Sequence, residues 1–184
     1  MTDVVSGSEV AASQNPQPKP TEIKIILPTN AYFMSGIRDF TLSLIRNMTD
    51  FSEQWAFRFQ SVVDELCSNA IEHGSSSDDT IEIRFVNLPG EAIEIYVEDH
   101  GTGPDGPLTA EQIREKIAKN KAMDVLQMGL RGRGLAKIVS EWTDKMEFFD
   151  TAKGGICVMV RKNLHDDKFK EVLPDAMDPT HIVI

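Results

Sequence analysis

Hydrophobic and polar positions repeat along this chain with two periods, and the two periods predict its secondary structure. An alternation with a period of two predicts strands, because successive side chains of a strand point to opposite faces. The clearest case is Ile93, Ile95 and Val97, which are separated by Glu94 and Tyr96. The predicted strands cover residues 22–27, 81–85, 93–97, 146–149 and 156–162.

Helical spacing separates these strands. In residues 31–48 an apolar stripe for one helix face is formed by Phe33, Ile37, Phe40, Leu44, Ile45 and Met48. Ser52 can cap a second helix, which we expect to run to about His73 and to stop at Gly74. Thr109 and Gln112 form a capping box for a third helix. A fourth helix carries Leu135, Ile138, Val139 and Trp142.

The order of these elements predicts the fold class. The segment 87–90 carries a turn signal, so the strands on either side of it should form a hairpin. Helices alternating with paired strands favour an α+β fold, a two-layer sandwich with helices on one face of a mixed, largely antiparallel sheet. We expect a disordered tail over residues 1–21, one domain over 22–162 and a C-terminal extension over 163–184.

Composition narrows the function classes. With 29 acidic residues against 19 basic ones, the net charge is −10, which argues against a nucleic-acid partner and against an anionic membrane. No apolar stretch has the length of a membrane span, and the N-terminus lacks a secretory signal. Cys67 and Cys157 lie in apolar periodic segments, as reduced core residues do. These features predict a cytoplasmic protein.

The first segment with chemical potential is residues 59–73. Glu65, Asn69 and His73 are spaced i, i+4, i+8, so they follow one border of the apolar stripe of the second helix. Asn69 can supply an oxygen to Mg²⁺, and Glu65 can accept a proton from a hydroxyl group. A solvated helix edge is the better explanation for Glu65 and Asn69 taken alone, and for His73 the favoured explanation is that a histidine at a helix C-terminus satisfies the helix dipole.

The second segment, residues 93–104, ends a strand with a carboxylate. Alternation places Asp99 on the core face, where a buried carboxylate needs hydrogen-bond donors. The amino group of adenine is one such donor, and Gly101 and Gly103 would let a planar ring approach the backbone. An Asp turn that binds its own backbone amides is an equal alternative.

The third segment is a glycine-rich loop that opens the fourth helix. It contains Gly129, Gly132 and Gly134 with the cations Arg131 and Arg133, and the helix follows at Leu135. Backbone amides at a helix N-terminus attract anions, so the loop favours phosphate over a simple hinge. It is neither a Walker A loop nor a dinucleotide fingerprint.

Taken together, the order and spacing of the three segments resemble the Bergerat ATP-binding fold over roughly residues 22–162. Histidine kinases, DNA gyrase, mismatch-repair ATPases and the ninety-kilodalton chaperones share this fold. Within that superfamily the chain most resembles the stand-alone anti-sigma-factor serine kinases of bacteria. The resemblance implies the cofactors ATP and Mg²⁺, an anti-anti-sigma (STAS-domain) protein as substrate, a sigma factor as second partner, and a homodimer.

The resemblance also implies a role for each residue of the motifs. Glu65 would be the catalytic base for the serine proton and Asn69 the magnesium ligand, with His73 on the same nucleotide-facing row. Asp99 would read the adenine amino group, with Gly101 and Gly103 beside the ring. Phosphate binding would fall to the loop and the start of its helix, namely Arg131, Gly132, Arg133, Gly134 and Leu135. Residues 104–131 would form a mobile lid.

One departure and two alternatives qualify this interpretation. Family members usually have Thr or Ser after the glycine of the last strand, where this chain has Ile156 and Cys157 after Gly155. The departure favours a nucleotide-gated binding module without catalysis, whereas Glu65 favours a kinase. A histidine-kinase ATPase domain is a weaker alternative, because all four histidines lie at or after His73 and a phosphoacceptor would have to be a separate protein.

Overall fold

The computed structural model describes residues 19–104, 106–122 and 140–165 of this chain. They form a five-stranded sheet with helices on one of its faces, as the α+β interpretation predicts. The strands are β1 Thr21–Pro28, β2 Thr80–Leu88, β3 Ala92–Glu98, β4 Lys145–Asp150 and β5 Ile156–Asn163. The helices are α1 Met34–Met48, α2 Glu53–Asn69, α3 Ala110–Ala122 and the short α4 Ser140–Trp142.

The sheet has the strand order β1-β2-β3-β5-β4, and each neighbouring pair among these strands is antiparallel. The predicted hairpin is present, with Ile83 opposite Val97 and Phe85 opposite Ile95. This register puts the alternating apolar residues on one face, because side chains two apart along a strand point the same way.

The core lies between this apolar face and the helices. Phe59, Val62 and Val63 of α2 are at most 1% exposed, and they pack in the same cluster as Ile83 and Phe85. A smaller cluster beside it joins α3 to β4 and β5 through Ala110, Phe148 and Ile156. The predicted stripe of α1 is buried at Ile37, Leu44 and Ile45, but its two ends are exposed: Phe33, just before the helix, is 38% exposed and Met48, its last residue, is 41% exposed.

Local signals set several element boundaries. Gln112 Oε1 accepts the Thr109 N–H at 2.8 Å, and Thr109 Oγ1 accepts the Gln112 N–H at 3.2 Å, which is the predicted capping box. The two cysteines are buried and free, as predicted. Burial raises the pKa of Cys67 to about 12, so its thiol is inert at neutral pH.

The second helix ends differently from the prediction. Its regular turns stop at Asn69, and Ala70–Gly74 form one wider, π-helical turn. His73 lies in this turn, so the regular i, i+4, i+8 spacing applies to Glu65 and Asn69 and does not carry over to His73. Turns of this kind occur often at functional sites.

Candidate functional site

Two of the predicted site residues contact each other on α2. Asn69 Nδ2 donates to Glu65 Oε1 at 3.1 Å and to the Glu65 backbone oxygen at 2.7 Å. Both side chains are partly buried, at the border between the core and solvent. Both hydrogen bonds leave from Nδ2, so among the described residues the oxygen Oδ1 of Asn69 is available to coordinate a cation.

The carboxylate of Asp99 lies just beyond β3 and joins two strands. Asp99 Oδ1 accepts the Gly101 N–H at 3.0 Å and the Ile156 N–H at 2.9 Å, and the Asp99 N–H donates to the Ile156 oxygen at 3.0 Å. The hydrogen bond to Gly101 forms the Asp turn considered above. The hydrogen bond to Ile156 attaches the same carboxylate to β5. Both side-chain bonds end on Oδ1, so Oδ2 accepts no hydrogen bond from the part of the chain that the structure describes.

Burial acts on this carboxylate more strongly than its hydrogen bonds do. Desolvation raises the pKa of Asp99, and the N–H groups of Ile156 and Gly101 oppose that shift in part. A raised pKa means that the folded state binds the proton more tightly than the unfolded chain does. Ionisation of this carboxylate therefore lowers the stability of the fold, a feature found in many groups at functional sites.

Glycines surround Asp99 because the backbone segments approach closely there. A Cβ on Gly74 would lie 2.2 Å from Asp99 Oδ2, and one on Gly155 would lie 2.1 Å from the Asp99 backbone oxygen. Gly101 has a φ of +69°, and its Cβ would lie 2.2 Å from the Gly154 oxygen. Gly103 would meet the His73 oxygen at 1.9 Å. Protein packing alone therefore requires Gly101 and Gly103, whatever approaches them from outside.

These contacts join the two described segments of the site into one. The Thr102 N–H donates to the Gly74 oxygen at 3.1 Å, so the loop after β3 is fastened to the end of α2. His73 is exposed at this junction, and its backbone oxygen faces Gly103. The turn that ends the Glu65 and Asn69 helix thus lies directly against the Asp99 loop.

The family comparison agrees with this arrangement. The sequence model of the family described as "Histidine kinase-like ATPase domain" matches residues 27–162, about three quarters of the chain. The chain belongs to this family. None of the curated proteins searched matches it. A histidine kinase-like ATPase domain indicates ATP binding and ATP-dependent phosphate transfer in general terms.

The phosphate-binding part of this ATPase domain was predicted at Arg131, Gly132, Arg133, Gly134 and Leu135. Those residues lie outside the described part of the chain, as do residues 105 and 123–131 of the predicted lid. Its first portion is described: α3 is fastened to the edge strand β4, since the Arg114 guanidinium donates to the Phe148 oxygen at 2.6 Å and the Ala110 N–H donates to Asp150 Oδ1 at 2.8 Å.

Two absences apply to residues 19–104, 106–122 and 140–165. No group of three or more His, Cys, Asp or Glu side chains could hold a metal ion there, so a cation at Asn69 would need further ligands from a nucleotide. No helix there is long and apolar enough to cross a membrane.

The structure also shows where Ile156 and Cys157 lie, the two residues that depart from the family pattern. Ile156 is 5% exposed and its side chain packs in the cluster with Ala110 and Phe148, while Cys157 lies on the opposite face of the sheet, paired with Glu98. Neither residue offers a hydroxyl group to the Asp99 loop. Ile156 contacts this loop through its backbone N–H, which donates to Asp99 Oδ1.

Proposed function

We propose that this protein is an ATP-dependent serine protein kinase and anti-sigma factor, which phosphorylates a STAS-type anti-anti-sigma protein and sequesters a sigma factor. The observation that carries the catalytic part is the contact between Glu65 and Asn69 on α2, 3.1 Å apart, beside the junction with the Asp99 loop. A base next to a cation ligand is what transfer of a γ-phosphate to a hydroxyl group requires.

Each residue has a distinct task in this mechanism. The Asn69 side chain keeps Glu65 in place through Nδ2, and the carboxylate of Glu65 takes the proton of the incoming serine hydroxyl. Asn69 Oδ1 would hold Mg²⁺, which neutralises charge on the ATP phosphates when it is bound. Asp99 Oδ2 accepts a hydrogen bond from the adenine amino group, because Oδ1 is occupied by two backbone donors.

The test is transfer of labelled phosphate from Mg-ATP into the proteins of the source cytosol. We expect one small protein to be labelled on serine, and we expect the unphosphorylated form of that protein to release a sigma factor from this chain. Labelling of histidine instead of serine would favour the histidine-kinase alternative. If a protein is labelled on serine but releases no sigma factor from this chain, the kinase activity stands and the anti-sigma role is wrong.

A nucleotide-gated binding module without catalysis is the second candidate, and the Ile156 position favours it. Neither Ile156 nor Cys157 provides the hydroxyl group that family members usually have there, so one contact to the nucleotide is missing. Under this alternative ATP changes the affinity for a partner, but no phosphate appears on it. The labelling experiment, run beside a measurement of ATP binding, separates the two functions.

Replacing Asp99 with asparagine should weaken ATP binding without lowering the stability of the fold. The asparagine side chain keeps an Oδ1 acceptor for the N–H groups of Gly101 and Ile156 but places an amide nitrogen where the adenine amino group donates. Loss of a hydrogen bond to a charged group costs about 1.5–3 kcal/mol, which is roughly 10- to 150-fold in affinity. Because the pKa of Asp99 is raised by burial, removal of its charge should leave the melting temperature unchanged or higher.

Isothermal titration with ATP and thermal unfolding measure the two effects of Asp99→Asn. Asp78→Asn is the control, since Asp78 is exposed and its replacement also removes one charge. ATP affinity that is unchanged in Asp99→Asn would contradict the assignment of Asp99 to adenine. A large drop in melting temperature would show that the charge of Asp99 stabilises the fold, contrary to the direction of its pKa shift.

A further inference from the structure

Asp79 lies where three segments of the chain meet, next to the site but outside the residues assigned to the nucleotide. Its Oδ2 accepts the Ser76 N–H at 3.0 Å and the Ser76 hydroxyl at 2.8 Å. The Thr102 hydroxyl donates to the same oxygen. Its other oxygen, Oδ1, lies 3.6 Å from Nδ1 of His100. One carboxylate therefore ties the turn before β2 to the loop after β3.

Asp79 is itself fixed by the end of β1. The Thr29 N–H donates to the Asp79 backbone oxygen at 3.0 Å, and the Thr29 hydroxyl donates to the Ser76 oxygen at 2.5 Å and to the Asp79 oxygen at 3.1 Å. Thr29 is 8% exposed, so these bonds are largely shielded from water. The backbone that carries this carboxylate is therefore hydrogen-bonded to the end of β1.

The two residues that lie against the Asp79 carboxylate are neighbours of Asp99, the residue assigned to adenine. His100 directly follows Asp99, and Thr102 lies between Gly101 and Gly103. The Thr102 hydroxyl also accepts the Ser76 N–H at 3.0 Å, which closes a ring of hydrogen bonds between the two loops. A shift of Thr102 would therefore move the loop whose Gly101 N–H holds Asp99 Oδ1.

The charge on Asp79 strengthens this ring. The Thr102 hydroxyl first, and then the Ser76 donors, lower the pKa of Asp79 to about 2. The carboxylate is therefore ionised at any pH near neutral, and hydrogen bonds to an ionised acceptor are stronger than those between neutral groups.

We propose that Asp79 is a positioning residue for nucleotide recognition, which holds Thr102 so that Asp99 keeps the angle that the adenine amino group requires. The inference rests on the proposed assignment of Asp99 to adenine. Asp79 touches neither ATP nor the acceptor hydroxyl in this arrangement, and it acts through the loop of residues 99–103.

The experiment compares ATP with inosine triphosphate, which has an oxygen in place of the 6-amino group. Wild-type protein should bind ATP more tightly than inosine triphosphate. Asp79→Ala and Thr102→Val should each weaken ATP binding about tenfold, because a displaced Asp99 loses its hydrogen bond to the adenine amino group. Each should change the affinity for inosine triphosphate less than about twofold, so the preference for ATP should largely disappear.

Two variants serve as controls. Asp78→Ala removes a neighbouring exposed carboxylate, and Thr102→Ser keeps the hydroxyl group that Asp79 binds; both should retain the wild-type preference. Thr102→Val replaces the hydroxyl group with a methyl group and keeps the side-chain shape, so it tests the proposal even if Asp79→Ala does not fold.

The outcomes are distinct. Equal loss of affinity for both nucleotides would show general support of the fold and would overturn the positioning role, as would an unchanged preference for ATP. If the wild-type protein shows no preference, the assignment of Asp99 to adenine is wrong, and the role of Asp79 falls with it. That failure appears in the wild type, before any variant is measured.

Discussion

Replacement of Glu65 with glutamine should lower phosphate transfer on the order of 10²- to 10⁴-fold, the range that a positioned general base contributes. Glutamine keeps the length of the side chain and an oxygen that can accept the Asn69 amide, as Oε1 of Glu65 does at 3.1 Å. It cannot take a proton from a serine hydroxyl. The loss should therefore fall on the rate of transfer, while ATP affinity changes less than about threefold.

Transfer from labelled Mg-ATP and titration with ATP measure these two quantities on the same preparations. Glu72→Gln is the matched control, because Glu72 is an exposed carboxylate in the turn that follows α2. It should transfer phosphate at the wild-type rate. Wild-type transfer by Glu65→Gln would show that the base is another group. If neither the wild type nor Glu65→Gln transfers phosphate although both bind ATP, the protein is the non-catalytic binding module.

Local patterns predicted most of the fold, because their causes are local. The alternation in residues 81–97 fixes which side chains face the core, and a slip of one residue would turn Ile83 and Ile95 toward solvent. The capping box of Thr109 and Gln112 needs residues only three apart. Neither inference depends on what else the chain contacts.

The candidate site was predictable as a set of residues but not as an arrangement. The spacing of Glu65 and Asn69 places both on one side of a helix, and the structure adds their direct contact. The glycines were expected to admit a ring, whereas Gly101 and Gly103 are needed for contacts with Gly154 and His73. Those contacts join segments that are far apart in the sequence, so no local pattern carries them.

Asp79 escaped the sequence analysis for the same reason. In the sequence it is one of two adjacent aspartates in a polar turn, which is typical of a solvated loop. Its role depends on Thr29, which precedes it by 50 residues, and on Thr102, which follows it by 23 residues. Both contact Asp79 only in the folded state. A carboxylate with several hydroxyl and amide donors is recognised from the structure alone.

The last strand carries a charge that the apolar alternation did not predict. Lys162 follows Val158 and Val160 on the core face of β5, and its side chain is 2% exposed. Its ammonium group lies 2.9 Å from Asp144 Oδ1 and 4.9 Å from the centre of the Trp55 ring. The other oxygen of Asp144 accepts the Asn163 N–H at 2.7 Å, so the carboxylate is held by β5 at two points.

Replacement of Asp144 with asparagine should therefore lower the free energy of unfolding by about 3–5 kcal/mol, the cost of removing one partner from a buried ion pair. Urea unfolding at neutral pH measures this loss. Adding Lys162→Met to the variant should recover most of the stability, because the double variant no longer buries an ammonium group next to a neutral amide.

An exposed ion pair on the neighbouring strand provides the contrast. Lys145 and Glu147 lie 2.9 Å apart with side chains 53% and 39% exposed, so Glu147→Gln should change the free energy of unfolding by about 0–1 kcal/mol. A loss in Asp144→Asn no larger than this would mean that water reaches Lys162. The pair would then add little to the attachment of β5, which also supplies the Ile156 N–H that holds Asp99. A loss of the expected size, recovered by Lys162→Met, would instead show that burial of the charge sets the cost, because the apolar partner restores stability without restoring the ion pair.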